Sequence, residues 1–200
     1  MLMLVTLTSV SLPSNAQVLS TEKLKHYVNY FNSIDTETVK NFVTNDHAVE
    51  WLSKNIPLFE CPDTTIEKIY YYRWWCIRKH LKQTPDGFVF DEFITPVSHA
   101  GKYNTVSSAL GHHIYELRWL RDQKYLNDYI NFWLHVDPRT SKPHLHAFSS
   151  WLQDAVYNRY LVNIDKNFLR TNISVLDADY KQWEDEKELP SGLFWQFRSR

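Results

Sequence analysis

Residues 113–126, HIYELRWLRDQKYL, and residues 155–169, AVYNRYLVNIDKNFL, are two stretches of the same kind. In each stretch a helical pattern ends, an aspartate starts a second helix, and an aromatic–leucine pair follows three and four residues later. The two aspartates, Asp122 and Asp165, lie 43 residues apart, a spacing typical of helix-pair repeats. The first helix of each pair is apolar on several faces and the second is more amphipathic, as are the inner and outer helices of a toroid or solenoid. The sequence therefore predicts an all-α fold of helical hairpins.

Helical patterns also flank the repeat. Residues 21–56 are expected to form short polar helices that start near Thr21 and Thr36, where acidic residues follow. Asp63 is the predicted N-cap of a long helix that is apolar nearly all round. From there on, the predicted helices cover residues 64–82, 104–120, 123–134, 149–162 and 166–187. The expected buried face of the first of them consists of Ile66, Ile69, Tyr70, Trp74, Ile77 and Leu81.

One element of different character interrupts this helical pattern. Residues 84–87, Thr-Pro-Asp-Gly, predict a turn. Residues 88–94, FVFDEFI, then predict a strand or an extended arm. The expected fold is therefore helical with a short extended arm near residues 86–95.

Composition disfavours several classes of partner. The 200 residues allow one ordinary domain or a piece of a larger one. Because 22 basic residues are balanced by 23 acidic ones, no global field holds a phosphate backbone, and no nucleic-acid partner is expected. The sequence has no Walker or dinucleotide fingerprint, so no cofactor is expected either.

The first sixteen residues, MLMLVTLTSVSLPSNA, carry no charge and end in the small-x-small pattern Ser14-Asn15-Ala16. We expect residues 1–16 to be a signal peptide, with Gln17 as the mature start. The protein would then be exported to the periplasm, the cell surface or the medium. A frayed N-terminal tail is the alternative. The apolar stretch is too short to span a bilayer, so no membrane span is expected.

Three elements carry a resemblance to a known family. Gly101-Lys102-Tyr103 precedes a buried helix, the Asp-x-x-aromatic-Leu turn recurs, and Gly192-Leu193-Phe194-Trp195-Gln196 follows the last helix. Together they resemble the six-hairpin glycosidases, which are (α/α)6-barrel enzymes. Within these, the likeness is to the mannosylglycerate-hydrolase-like branch related to glycoside hydrolase family 63. It covers residues 63–200, is best over 100–200, and implies a partial (α/α)6 toroid.

The resemblance also implies a domain organisation and a function. Residues 17–62 would form an N-terminal helical segment, and residues 63–200 the N-terminal half of a barrel with six helix pairs. The protein would be a fragment of an exported glycoside hydrolase acting on glycans or oligosaccharides by acid–base hydrolysis. In related enzymes the chain continues through Arg-Asp-Gly-Met, whose aspartate is the general acid, whereas this sequence ends in Arg198-Ser199-Arg200. The acid and the base are therefore expected beyond Arg200, and the fragment itself is expected to be inactive.

Candidate substrate-binding residues combine aromatic platforms with planar polar groups, because sugar faces stack on indoles while sugar hydroxyls form hydrogen bonds. They are Glu92, Lys102, Tyr103, Trp151, Trp195, Gln196 and Arg200. An ion-paired edge position for Glu92 and packing roles for the aromatic residues are the alternatives. Tryptophans in the middle of helices are expected in the core; these are Trp74, Trp75, Trp119, Trp133 and Trp183.

Two groups of residues that contain histidine raise the options of a ligand contact and of a metal site. His112 and Glu116 share a helix face and either contact a ligand or form a buried hydrogen-bonded pair. His144 and His146 would lie on one side of an extended segment, but no third ligand is indicated, so no metal is expected.

Nucleophilic chemistry has little support. The sequence has no Gly-x-Ser-x-Gly elbow. Cys61 and Cys76 are separated by most of a helix, farther than the ~7 Å between Cα atoms that a disulfide spans. Both are therefore expected to be free thiols.

Two function classes remain as alternatives to a glycosidase. One is a non-catalytic helical-repeat module that binds a glycan or a protein through its concave face. The other is a different toroid enzyme, such as a polysaccharide lyase or a sugar epimerase. In every case, half a toroid would expose apolar surface on its open side, which predicts poor solubility or dimerisation.

Overall fold

The two repeated stretches fold as helical hairpins in the computed structural model, which describes residues 19–136, 144–146 and 148–195. Those residues contain seven α-helices and one two-stranded sheet. In chain order the elements are α1 (Glu22–Ile34), α2 (Asn45–Asn55), α3 (Thr64–Lys79), β1 (Leu81–Thr84), β2 (Gly87–Phe90), α4 (Ser107–Leu117), α5 (Lys124–Asn131), α6 (Leu152–Val162) and α7 (Lys166–Lys187). Short 3-10 turns cover Lys102–Asn104 and His144–His146, and a π-helical turn, Phe132–Val136, extends α5. The predicted all-α class is confirmed.

An aspartate begins the second helix of each hairpin, as the repeat predicts. The Asp122 carboxylate accepts a hydrogen bond from the Lys124 backbone N–H at 2.9 Å, before α5. The Asp165 carboxylate accepts one from the Phe168 N–H, also at 2.9 Å, and caps α7. The first helices of the two hairpins, α4 and α6, pack against each other. This arrangement of paired inner and outer helices is that of a partial (α/α) toroid.

Helices α1, α2 and α3 pack together ahead of the hairpins, because each presents one apolar face to the others. Their buried apolar residues join those of the hairpins in a single core cluster. The largest side chains in its interior are Phe31, Tyr71, Phe90, Tyr129, Phe132 and Trp133. Strand β2 lies against α5 and connects the two parts of this core.

The helix predicted to start near Thr36 does not form there. Residues 36–44 are non-helical, and Glu37 has a positive φ of 44°. The Glu37 carboxylate instead accepts a hydrogen bond from the Asn45 backbone N–H at 2.5 Å, at the start of α2. The acidic residue that suggested a helix start therefore stabilises the beginning of a helix eight residues further on.

The buried face of α3 differs from the predicted one. Ile66 and Ile69 are 52% and 54% exposed, while Glu67 and Arg78 are buried. Glu67 accepts hydrogen bonds from Lys23 at 2.9 Å and from the Cys61 backbone N–H at 3.3 Å. The polar groups are buried because distant parts of the chain supply their partners, which helical periodicity cannot reveal.

Arg78 is the second buried polar residue of α3. Its guanidinium donates to the Val43 carbonyl at 2.7 Å and to the Asn45 side chain, so it ties α3 to the segment that leads into α2. Burial lowers the pKa of Arg78 to about 10, and the nearby carboxylates of Glu37 and Asp35 oppose that shift. The side chain remains a cation at neutral pH.

The predicted extended arm is one strand of a β-hairpin. Strand β1 pairs with β2 in antiparallel register, with Leu81 opposite Phe90 and Thr84 opposite Gly87. The first strand takes residues that were assigned to the preceding helix, so α3 ends at Lys79 and not at Lys82. Gly87 adopts a φ of 100°, which the tight turn requires and which other residues rarely adopt.

Two further expectations can be compared with the structure. Cys61 and Cys76 are free thiols, as predicted. Among the described residues, no helix has both the length and the apolar character that crossing a bilayer requires.

The cap of α3 gives a direct test of the fold. The Asp63 carboxylate accepts hydrogen bonds from the backbone N–H groups of Thr65 and Ile66, at 2.8 and 3.3 Å. We expect Asp63→Ala to lower the free energy of unfolding by about 1 kcal/mol, because two helix N–H groups lose their acceptor. Asp63→Asn keeps an acceptor oxygen and should lower the free energy of unfolding by only about 0.3 kcal/mol. Equal losses for the two variants in urea unfolding would contradict the capping role.

Candidate functional site

Three adjoining cavities lie between α3, α4, α6 and α7. We call them the α6–α7 cavity, of about 390 Å³, the α3–α4 cavity, of about 400 Å³, and the hairpin cavity beside β2, of about 340 Å³. Each has the size of a small-ligand pocket. Three of the predicted site residues line them: Glu92, Trp151 and Trp195.

The α6–α7 cavity brings together Trp151 and Trp195, which are 44 residues apart in the sequence. A turn at residues 190–192 folds the chain back on the end of α7, and Gly192 there has a φ of 76°. The Trp195 backbone N–H then donates to the Lys187 carbonyl at 2.9 Å. The remaining walls are Ser149, Ser150, Gln153, Asp154, Tyr180, Trp183, Lys187 and Phe194.

Trp151 is positioned by a glycine in the neighbouring helix. A Cβ atom on Gly111 of α4 would lie 2.4 Å from the Trp151 Nε1 and 2.5 Å from its Cε2, so the indole rests directly on the helix backbone. No side chain larger than hydrogen fits at that position without moving the ring. On its other side, the Trp151 ring meets the His112 ring edge to face, with centroids 4.6 Å apart.

A network of polar side chains lies next to the α6–α7 cavity and includes one of its wall residues, Gln153. The Gln153 side chain donates to Asp179 at 2.5 Å, and Asp179 also bonds to His146 at 2.9 Å. His146 further contacts Glu186 at 3.0 Å, and its ring lies 4.5 Å from that of Trp183. Burial disfavours the imidazolium, but the hydrogen bonds to the two carboxylates outweigh it and raise the pKa of His146 above its ordinary value of 6.5.

Two polar atoms in the walls of the α6–α7 cavity lack partners. The Trp183 Nε1–H and the Ser150 hydroxyl are buried and have no hydrogen-bond partner among the described residues. An unsatisfied buried donor costs about 1–3 kcal/mol. After a small shift of these two side chains, hydrogen bonds to the oxygen atoms of a ligand would recover part of that free energy.

The α3–α4 cavity is aromatic with one ion pair. The Arg73 guanidinium donates to Glu116 Oε1 from Nε and from Nη2, both at 2.7 Å. Glu116 is therefore bound to Arg73 of α3 and does not form the predicted pair with His112, which is exposed. The other lining residues are Tyr70, Trp74, Tyr115 and Trp119.

Trp119 corrects a second expectation. It was predicted in the core but is 48% exposed, because α4 ends at Leu117 and Trp119 follows in a turn. The prediction of a core position holds for Trp74, Trp75 and Trp133, which are buried. Trp183, also predicted in the core, is half-buried and lines the α6–α7 cavity.

Glu92 lies in the hairpin cavity, where its carboxylate contacts a histidine. His113 Nε2 is 3.3 Å from its carboxylate, and His113 Nδ1 is 3.0 Å from the Tyr129 hydroxyl. The hydrogen bond to His113 holds the pKa of Glu92 below its ordinary value although burial acts in the opposite direction. Glu92 is therefore an anion at neutral pH, and the cavity shares Arg73 and Glu116 with its α3–α4 neighbour.

Lys102 and Tyr103 lie elsewhere. Both bind Asp86 in the β-hairpin turn, the Lys102 ammonium at 2.5 Å and the Tyr103 hydroxyl at 2.7 Å. They line none of the three cavities and hold the hairpin against the segment before α4. Gln196 and Arg200, like the predicted signal peptide, lie outside the described residues.

Among the described residues, no group of three or more His, Cys, Asp or Glu side chains converges as a metal site would require. Both ring nitrogens of His146 contact carboxylates. The side chain of His144, its proposed companion, is outside the described set.

A larger cavity, of about 720 Å³, lies between α2 and the corner that joins α4 to α5. It contains none of the predicted site residues. Of its aromatic residues, Trp51 is buried and its indole N–H donates to the Tyr125 hydroxyl at 3.1 Å, whereas Phe42 is 42% exposed.

Residues 102–199 match the family model described as the mannosylglycerate hydrolase MGH1-like glycoside hydrolase domain. A solved structure named "Sialidase" is 43% identical, with a TM-score of 0.83 over 89% of this chain. The chain covers 16% of the length of that protein. No curated protein matches. The predicted resemblance to the mannosylglycerate-hydrolase-like branch of the six-hairpin glycosidases is confirmed.

The contact between Gly111 and Trp151 is open to a double-mutant cycle. We expect Gly111→Ala to lower the free energy of unfolding by about 1–3 kcal/mol, because the added methyl overpacks the indole. In a Trp151→Ala background the same change should be neutral or stabilising by up to about 1 kcal/mol, because alanine is the better helix former. Chemical denaturation of the four proteins measures both effects.

The control is Ser108→Ala, at an exposed position of the same helix. It should alter the free energy of unfolding by less than about 0.5 kcal/mol. Equal effects of Gly111→Ala in both backgrounds would show that the indole does not rest on this glycine.

The raised pKa of His146 predicts a pH dependence of stability. The charged groups facing the ring are the carboxylates of Asp179 and Glu186, both on α7. The stabilisation by the imidazolium is complete below about pH 6.5 and is lost as the pH rises through the folded-state pKa. In His146→Gln this fall should be absent, whereas exposed His26→Gln should retain it. Urea titrations between about pH 6 and pH 9 measure the difference, and parallel curves for wild type and His146→Gln would contradict it.

Proposed function

We propose, from the match of residues 102–199 to the MGH1-like glycoside hydrolase domain, that this chain supplies part of the carbohydrate-binding surface of a glycoside hydrolase. The observation that carries the proposal is the meeting of Trp151 and Trp195 in the α6–α7 cavity. Trp183 and Tyr180 complete an aromatic lining around them. The substrate class is a glycan or an oligosaccharide.

The α6–α7 cavity has the chemistry that sugar recognition needs. The apolar face of a pyranose packs on an aromatic ring, and its hydroxyls pair with amide, hydroxyl, carboxylate or ammonium groups. The cavity holds each of these polar types, in Gln153, Ser149, Asp154 and Lys187. The unpartnered Trp183 N–H and Ser150 hydroxyl add two groups that gain from a ligand oxygen.

The proton donor and the catalytic base are proposed to lie outside the described residues. Inverting hydrolysis needs a protonated carboxylic acid and a carboxylate about 6.5–9.5 Å apart. Each carboxylate lining the three cavities already has a partner: Glu116 has Arg73, Glu92 has His113, Asp91 has Lys82 and Asp154 has the Tyr115 hydroxyl. The lowered pKa of Glu92 also disfavours it as an acid. On this basis the part of the chain that the structure describes contributes to carbohydrate binding and not to hydrolysis.

Export remains part of the proposal, supported by the uncharged apolar residues 1–16 and their small-x-small end. N-terminal sequencing of the mature protein, purified from its native source, tests it. A start at Gln17 supports removal of a signal peptide, and a retained Met1 contradicts it.

Binding tests the proposed function. The probes are linear oligosaccharides of glucose, mannose, galactose and N-acetylglucosamine, with two, four and six units each. We expect at least one series to bind, and Trp151→Ala or Trp195→Ala to weaken binding by about tenfold, because each removes a stacking platform. Isothermal titration calorimetry gives the affinities, and a reducing-sugar assay should detect no hydrolysis by the chain.

The matched control is Tyr157→Ala, which removes an exposed aromatic side chain of α6 that lines none of the three cavities. It should bind like the wild type. Absence of binding by every series, or equal weakening by Tyr157→Ala, would contradict the carbohydrate-binding role. Released sugar would contradict the placement of the acid and base elsewhere.

A further inference from the structure

We propose that the α3–α4 cavity is a second sugar subsite, so that the protein binds a linear oligosaccharide along two cavities and not a single sugar in one. This inference rests on the proposed function. It names the substrate class of that site and assigns Trp119, Arg73 and Glu116 to its recognition.

The two cavities are direct neighbours. The His112 ring, in the wall of the α3–α4 cavity, contacts the Trp151 ring of the α6–α7 cavity, with centroids 4.6 Å apart. Beside it, the Tyr115 hydroxyl of the first cavity donates to the Asp154 carboxylate of the second. The Trp151 indole also rests on Gly111 of α4 at this boundary. Side chains of α4 and of the start of α6 therefore separate the two cavities, and an oligosaccharide that occupies both would cross them.

Trp119 provides an aromatic platform in the second cavity. It is half exposed, and the Arg118 guanidinium lies 5.4 Å from its ring and 4.7 Å from the ring of Tyr115. Cation–π contacts of this kind are attractive. Because Trp119 is exposed and lines the cavity, its ring is accessible for stacking on the apolar face of a sugar.

Arg73 and Glu116 provide the polar groups. Both nitrogen contacts from Arg73 end on Glu116 Oε1, and Oε2 has no donor among the described residues. A planar guanidinium and a carboxylate oxygen supply donors and an acceptor for the vicinal hydroxyls of a sugar. The α3–α4 cavity therefore combines an aromatic ring with a polar pair, as the α6–α7 cavity combines aromatic rings with polar groups.

Affinity as a function of chain length tests the subsite. With the same oligosaccharides, the wild type should bind the hexasaccharide at least about tenfold more tightly than the disaccharide of the best series. Trp119→Ala should abolish that gain and leave disaccharide affinity unchanged, while Trp119→Phe, which keeps an aromatic ring, should retain most of it. Trp195→Ala should weaken binding at every length, and Tyr157→Ala at none.

The outcomes separate the two proposals. Length-independent affinity in the wild type, or an undiminished gain in a folded Trp119→Ala, overturns the second subsite and leaves the proposed function standing. Absence of binding at any length overturns the proposed function and this inference with it. Circular dichroism and the melting temperature establish that each variant is folded, and Trp119→Phe gives an independent readout should Trp119→Ala fail to fold.

Discussion

The packing of Trp151 on the bare backbone of Gly111 is the constraint on which the site depends. The indole lies closer to α4 than any side chain at position 111 would allow. It thereby sets the separation of α4 and α6, the inner helices of the two hairpins, where α6 begins. The same ring forms a wall of the α6–α7 cavity and touches His112 at the edge of the α3–α4 cavity. One glycine–tryptophan contact therefore holds together the helix pairs and the cavities between them.

A buried arginine joins the two hairpins at their other end. Arg159 of α6 is fully buried, and it bonds to Asn127 of α5 at 2.6 Å and approaches Asp165, the cap of α7, at 3.8 Å. Its guanidinium also lies 4.4 Å from the Phe168 ring. Burial lowers the pKa of Arg159, and the Asp165 carboxylate opposes that shift. The aspartate and aromatic residue that define the repeat in sequence are thus partners of the cation that links one repeat to the next.

Local sequence patterns predict where most of the helices lie. They do not predict which polar residues of those helices are buried. Asp63 and Asp165 could be identified as caps because their hydrogen bonds reach only two or three residues along the chain. The burial of Glu67 depends on Lys23, and that of Arg78 on Val43, and neither partner is marked by any local pattern. The sequence predicts only the second strand of the β-hairpin. The first strand, β1, directly follows a helical pattern and forms through its pairing with β2. The helical pattern continues to residue 120, three residues beyond the end of α4. For this reason the sequence predicts a mid-helix position for Trp119, which in fact follows the helix. The mid-helix position of Trp183 predicts a core residue, whereas Trp183 and Tyr180, three residues apart on one face of α7, both line the α6–α7 cavity.

The α6–α7 and α3–α4 cavities are proposed to bind a carbohydrate chain, and a crystal structure of the protein grown with a linear hexasaccharide tests this most directly. We expect sugar density stacked on Trp151 and Trp195 that continues toward Trp119. Density confined to another surface, such as the cavity between α2 and Tyr125, would contradict it.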